Sequence, residues 1–463
     1  MTDRRVLLIL THRILPASLV IAYFLLQAWR GLFVDFHHDD MMNLYHGWSE
    51  PVWRLVLAVI FPFDGVARPL ANLLYRAEFL LFGFDAFKYR LTTYVILIAD
   101  IALVYQVSKL LFHSRYGAYL AAMIFSFHPQ MIGIYVNNGT IYDVLGTFWV
   151  LLAVMLYLTN RALWKIIVCW LLALGTKEFA AMLPFCLIAI ELILWKRESP
   201  IPRLRLAILV LMCVVSAGAV KAKSSQGAFL DGEAYKPDLT PHHLGQSIRD
   251  ETSELIGLTT KKLNNLWSIG IDLTPLLAAL IFRRKQFLIV FAMIVGLSIP
   301  MWAIPWRGLF VYQVVLVWWA IFAAELIIKS LEFLLRANTP HLRFAAGTLT
   351  LLLAATNLLT HWRIPKKDFE GPHYGNQEIR GDLEDYEKLG LKLPRGGSIL
   401  LLNDRCGTET WTPFFIARLY YHDENLRVDR VKKDQRDASI KYDAVLDLID
   451  GHLTIVSRPA AAD

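Results

Sequence analysis

Long apolar runs alternate with short polar breaks along most of the chain, and the runs have the length of bilayer crossings. A helix of roughly 17–25 apolar residues spans the hydrocarbon core, because it satisfies its backbone hydrogen bonds internally. Such windows recur at Ile14–Val34, Leu91–Phe112, Gly117–Val136, Ile141–Leu158, Leu163–Gly175, Phe179–Trp195 and Leu206–Val220. Others follow at Leu263–Phe282, Phe287–Ile304, Leu309–Ile328 and Phe344–Leu359. About eleven transmembrane helices are therefore predicted. The shorter run Val52–Phe63 reads as an interfacial or re-entrant helix. After about Thr360 the pattern changes to strand-like runs at Ser398–Asn403, Leu426–Val431 and Tyr442–Leu448, with a helix expected over Thr410–Tyr421. The expected architecture is an α-helical polytopic membrane protein. Its transmembrane unit would occupy residues 1–360, with extracytoplasmic loops at 35–90 and 221–264, and a small extracytoplasmic α/β domain would follow over 361–463.

Loop charge sets the orientation, since Lys and Arg concentrate in short cytoplasmic loops. Arg4 and Arg5, Arg115, Arg161 and Lys165, Arg203 and Arg205, Arg283 to Lys285, and Lys329 fall in alternate loops. A cytoplasmic amino terminus follows, and an odd number of spans puts the tail outside. This topology suits a bacterial inner membrane, with the tail in the periplasm. The 463 residues are 56% hydrophobic with a mean hydropathy of +0.43, beyond the range of soluble domains. The formal charge of +7 is spread over loops rather than gathered in a patch, so nucleic acid is not an expected partner. The four cysteines imply no disulfide framework, and Cys406 stands alone in the tail. No Gly-rich phosphate loop occurs in the tail.

The chemistry-bearing residues gather on the outer side. Asp35, His37, His38, Asp39 and Asp40 follow the first span. Carboxylates there cost solvation, so they face water or a site. Asp39 or Asp40 could take a proton from a hydroxyl nucleophile, with His38 in support. His37 and Asp39 could instead hold a divalent metal ion, although no cofactor is demanded. A solvated loop that merely stops the first helix accounts for the same residues. Arg68, Lys177 and Arg307 lie at outer helix ends, each beside Pro, Gly or an acid, here Glu178. Converging, they would hold a phosphate; apart, they would snorkel to lipid headgroups. His128-Pro129 and Asn137-Asn138-Gly139-Thr140 bracket the third span and suit either a polar wall or ordinary helix-ending turns. A transporter or flippase should place its polar groups at the bilayer midplane in repeated halves. Here they gather at one face, and no halves repeat.

The Asp39-Asp40 pair, the run from Arg68-Pro69-Leu70 to Gly83, Phe125-Ser-Phe-His-Pro129 and Gly175-Thr-Lys-Glu178 occur in this order on one membrane side. Together they resemble the GT-C superfamily of membrane glycosyltransferases. They are most similar to its protein O-mannosyltransferase branch and the tetratricopeptide-bearing relatives of that branch, over roughly Val34–Trp195. The resemblance implies an inverting transfer of a monosaccharide from a polyprenyl-phosphate donor to an acceptor hydroxyl at the extracytoplasmic face. It makes Asp39 the base, supported by Asp40, and sets Arg68, Lys177 and Arg307 near the donor phosphate. His38, Glu178, His128 and Asn138 would support them. No tetratricopeptide array or β-trefoil is visible, so a protein, a glycan or a lipid acceptor stays open, as does a glycan polymerase or ligase.

Overall fold

The computed structural model describes residues 14–195, 203–225, 236–256, 263–305, 308–336, 377–407, 411–431 and 441–457. The chain is mostly helical. The membrane part begins with α1 (Leu15–Ala28), α2 (His38–Ser49), α3 (Val52–Ile60), α4 (Pro69–Phe82), α5 (Ala86–Phe112) and α6 (Arg115–Ser126). It continues through α7 (Ile132–Val136), α8 (Ile141–Leu158), α9 (Leu163–Leu174), α10 (Leu183–Leu194) and α11 (Arg203–Ser225). Five further described helices are α12 (Pro241–Leu255), α13 (Asn265–Asp272), α14 (Thr274–Phe282), α15 (Gln286–Trp302) and α16 (Gln313–Arg336). Among the described residues, six helical stretches are long and apolar enough to cross a membrane: Leu15–Phe33, Ala86–Phe112, Asn138–Leu158, Arg203–Lys223, Asn265–Phe282 and Leu309–Glu332. The windows at Leu163–Leu174 and Gln286–Trp302 form shorter apolar helices. The predicted span Phe344–Leu359 lies outside the described residues.

One predicted span is broken. Gly117–Val136 does not run as a single helix, because Pro129 forces His128 into an extended conformation (φ −129°, ψ 125°) and α6 stops at Ser126. The chain then passes through a 3-10 turn and the five-residue α7 before Asn137, whose side chain accepts from the Gly139 N–H at 2.7 Å. Such irregular backbone is tolerated at membrane depth when protein surrounds it, and Met131, Ile134, Tyr135 and Val136 are all buried. Ala118, Ala121 and Ala122 give α6 a small-residue face that lets α5 and α16 approach closely. Gly117 extends that face, since the Glu325 carboxylate occupies the space a Cβ would need.

Polar groups are not confined to the outer end. Asp100, near the middle of α5, is fully buried, with Gln313 at 3.5 Å. The run Val52–Phe63 contains the short helix α3, with Leu55 and Ala58 buried and Val52, Trp53, Val56 and Leu57 exposed.

The tail contains α17 (Gln377–Leu389), β1 (Ser398–Leu401), α18 (Thr412–Tyr420), β2 (Arg427–Arg430), β3 (Ala444–Ile449) and β4 (His452–Ser457). The sheet order is β2-β1-β3-β4, with β1 parallel to both neighbours and β4 antiparallel at the edge. The three expected strands and the expected helix form; α17 and β4 were not anticipated. The tail shares its core with the first loop. Phe36, Met41, Leu44 and Phe79 belong to one apolar cluster with Tyr386, Ile399, Phe415 and Leu446. At the seam, Arg418 donates to Tyr45 Oη at 2.7 Å and to the Leu426 carbonyl at 2.8 Å, and its guanidinium lies 3.8 Å from the Phe414 ring centre.

Arg418→Ala should therefore cost about 1–3 kcal/mol and raise amide hydrogen exchange in both α18 and α2. Unchanged exchange in α2 would show that this arginine does not fasten the tail.

Candidate functional site

The site begins at the capping box that opens α2. His37 Nδ1 accepts from the Asp39 N–H, and Asp40 Oδ2 accepts from the His37 N–H at 2.8 Å. Asp40 is wholly buried. Its Oδ1 accepts from the Gly139 N–H at 2.6 Å, and Arg90 Nη2 lies 3.6 Å from Oδ2. Arg90 also donates to the Asp35 carbonyl, the Val34 carbonyl and Asn138 Oδ1. Burial pushes the Asp40 carboxyl above its ordinary range, and the Arg90 guanidinium and His37 N–H pull it back. Asp40 is thus enclosed in a clamp that ties α2 to the Asn138-Gly139 turn. Asp39, one residue earlier, is 62% exposed at its side chain. Its Cβ comes so close to Gly139 that a Cβ there would stand 3.3 Å away.

A second set of charges lies across Tyr75 and Tyr142. Tyr75 donates to the Asn138 carbonyl at 2.6 Å and packs on Tyr142, whose ring centre is 4.7 Å from the Arg68 guanidinium. Arg68 precedes Pro69 yet adopts a left-handed conformation (φ 51°, ψ 50°), a strained choice for that position. It forms a fork to Glu178, with Nε to Oε1 at 2.8 Å and Nη2 to Oε2 at 3.4 Å. Lys177 Nζ lies 3.0 Å from Asp143 Oδ1 and 3.1 Å from Oδ2. The Leu70 N–H donates to the Gly175 carbonyl at 2.9 Å and joins the two segments. Burial raises the Glu178 carboxyl, but Arg68 and Lys177 outweigh it and hold the group down at about 2, so Glu178 stays ionised.

Of the residues predicted from sequence, the structure brings Asp39, Asp40, Asn138, His37 and His38 to one edge and Arg68, Lys177 and Glu178 to the other. His128 turns elsewhere, toward the Leu255 carbonyl at the end of α12, 3.2 Å from its Nε2. Arg307 lies outside the described residues. The expected cationic pocket is largely neutralised, since both Arg68 and Lys177 face carboxylates. Sequence reasoning missed Arg90 and a third cation, Lys223. Lys223 is 5% exposed, donates to the Leu174 carbonyl at 3.4 Å and feels the charges of Glu178 and Arg68. Both end or begin apolar runs, where they pass for snorkelling residues. Glu78 was missed as well; it is buried, and burial pushes its carboxyl up to about 8. The His37–Asp39 pair, 3.9 Å apart, offers only two ligands for a metal.

Two comparisons bear on this geometry. A sequence model of dolichyl-phosphate-mannose-protein mannosyltransferases matches residues 66–218, about a third of the chain. That stretch contains Arg68, Asn138, Asp143, Lys177 and Glu178, but not Asp39 or Asp40. The oligosaccharyltransferase of Archaeoglobus fulgidus, solved with a tethered acceptor peptide, superposes with a TM-score of 0.53 at 11% identity, over 91% of this chain and 64% of that one. The chain has the fold of a GT-C enzyme. The oligosaccharyltransferase AglB from Archaeoglobus fulgidus, in complex with an inhibitory peptide and a dolichol-phosphate, gives a TM-score of 0.50 at 11% identity, over 89% of this chain and 63% of the other. The chain thus spans less than two thirds of these GT-C structures. No curated protein sequence matches it.

The two adjacent carboxylates should behave oppositely in thermal melting. Asp40→Ala leaves Arg90 buried without its partner and should cost about 3–5 kcal/mol. Asp39→Asn, on an exposed side chain, should stay within about 0.5 kcal/mol of the parent. Equal losses in both would refute the division between an enclosed and an open carboxylate.

Proposed function

We propose that the protein is an inverting glycosyltransferase that moves a monosaccharide from a polyprenyl-phosphate donor to an acceptor hydroxyl at the extracytoplasmic membrane face. The observation that carries this reading is the pairing of one exposed carboxylate, Asp39, on a clamped helix start, with the partly buried Arg68 and Lys177 and the buried Lys223 across the Tyr75–Tyr142 bridge. Asp39 takes the proton of the acceptor hydroxyl as its oxygen attacks the anomeric carbon from the side opposite the phosphate. The bond from the anomeric carbon to the phosphate oxygen breaks, and its electron pair leaves on the phosphate. The cations stabilise that charge, so no general acid is required. Asp40 acts as a positioning residue and Glu178 orients Arg68. For the donor to bind, Lys177 and Arg68 exchange Asp143 and Glu178, at least in part, for phosphate oxygens. The dolichol-phosphate held by the archaeal neighbour is in keeping with a lipid-phosphate donor. Its peptide makes a protein one candidate acceptor, beside a glycan or a lipid.

Transfer from a radiolabelled polyprenyl-phosphate sugar to lysate acceptors, in nanodiscs, tests the roles. Asp39→Asn should lower the rate about 100- to 10,000-fold with donor binding retained. Lys177→Ala should weaken donor binding about ten- to a hundredfold, the loss of one charge-assisted hydrogen bond. Asp143→Asn frees Lys177 from its competitor and should not weaken donor binding. Near-parental turnover in Asp39→Asn would remove that residue from the role, and unchanged affinity in Lys177→Ala would return the lysine to a structural pair with Asp143.

The same reading sets the tail outside the membrane. Cys406 is buried, so the native protein gives little background to thiol reagents before denaturation. A cysteine introduced at the half-exposed Glu384 on α17 should react with an impermeant maleimide in intact cells whose outer membrane has been permeabilised. Reaction only after the cytoplasmic side is opened would invert the topology and the placement of the site.

A further inference from the structure

We infer that His38, Glu378 and Cys406 form a site for a borderline-soft divalent transition metal, Zn2+ foremost, that fastens the tail to the start of α2. One ligand atom from each lies within 4.8 Å of the other two, and this is the only group of three or more such ligands found among the described residues. His38 opens α2, Glu378 stands in the first turn of α17 and Cys406 lies in the loop after β1. The three therefore come from both sides of the seam. His38 Nε2 is 3.6 Å from Glu378 Oε2, while His38 Nδ1 shares a 2.9 Å hydrogen bond with Thr412 Oγ1. A ligating imidazole is commonly oriented through its second nitrogen in this way. Cys406 is 2% exposed, and its Sγ lies 3.8 Å from Asp382 Oδ2, on a carboxylate fixed by Arg405. A His–Glu contact alone is an ordinary ion pair. The buried thiol beside it adds a third donor that such a pair does not need.

The donor set selects the ion. Thiolate, imidazole and one carboxylate suit Zn2+, whereas Mg2+, Ca2+ and Mn2+ favour oxygen-rich sites. With zinc bonds of about 2.0–2.3 Å, tetrahedral ligand atoms stand about 3.2–3.8 Å apart, so the group must close by about 1 Å. The Glu378 side chain, 44% exposed, has the freedom to make that move. Water completes the coordination, and the Cys406 thiol proton leaves to solvent as the ion takes its place. The ion would add its binding free energy to the docking of the tail. This site is separate from the His37–Asp39 pair and does not rest on the transferase reading.

The test uses the full chain in detergent, stripped with a chelator and titrated with Zn2+ or Co2+. One ion per chain is expected, with a near-ultraviolet sulfur-to-cobalt charge-transfer band and a higher melting temperature. Cys406→Ser should abolish the band. Glu378→Gln, on a partly exposed side chain not needed for folding, should weaken zinc affinity at least about tenfold. Absence of the band in the parent, or zinc affinity in both variants equal to the parent's, would overturn the proposal.

Discussion

The arrangement depends first on a buried ion pair at the mouth of the helical bundle. Asp40 and Arg90 are both almost fully enclosed. Taking two charges out of water is costly, and their attraction offsets the cost only when the remaining donors and acceptors are also satisfied. Here they are. Arg90 reaches two carbonyls and the Asn138 amide oxygen, and Asp40 collects two backbone N–H groups. This network joins the end of the first span, the start of α2, the top of α5 and the irregular segment before α8. It fixes the phase of α2, and hence the direction of every other side chain on its first turn.

The second charge cluster has a different balance. Among the described residues, Arg68 pairs with Glu178 and Lys177 with Asp143, and Lys223 donates to the Leu174 carbonyl. Headgroup snorkelling does not describe cations that face inward on carboxylates and a carbonyl. Structural pairing explains two of the three cations. The charge of Lys223 and the strained backbone at Arg68 are in keeping with the proposed anion as a further occupant. The depressed Glu178 carboxyl keeps the fork charged at any ordinary pH. Its contribution to stability is present above the unfolded carboxylate range and is lost only as pH falls toward about 2.

Much of the membrane part was legible because apolar length is a strong signal; Ile141–Leu158 and Phe287–Ile304 were located to within a few residues. The interruption at Pro129 was visible as a His-Pro dipeptide but was outweighed by the apolarity around it. In the tail, β1 and β3 announced themselves by their apolar runs, while α17 is so charged that its buried stripe of Ile379, Asp382 and Tyr386 gave no hydrophobic signal. Asp39, Arg68 and Lys177 stood out as charges beside apolar runs. Glu178 stood out beside Lys177, but its pairing with Arg68 did not, because contact across 110 residues leaves no mark in local spacing. The adjacent pair Asp39-Asp40 looked like two equivalent acids. Only the helix phase separates them.

That separation follows from geometry. Successive residues on an α-helix point about 100° apart, so three in a row at a helix start face three directions. His38 turns to Thr412 and Glu378 of the tail, Asp39 to solvent and Asp40 to Arg90 in the bundle. The tail and the bundle therefore grip His38 and Asp40 from opposite sides and leave Asp39 between them open. A slip of one residue would bury Asp39 and expose its neighbour, so the docked tail and the buried ion pair together determine which carboxylate is available for chemistry.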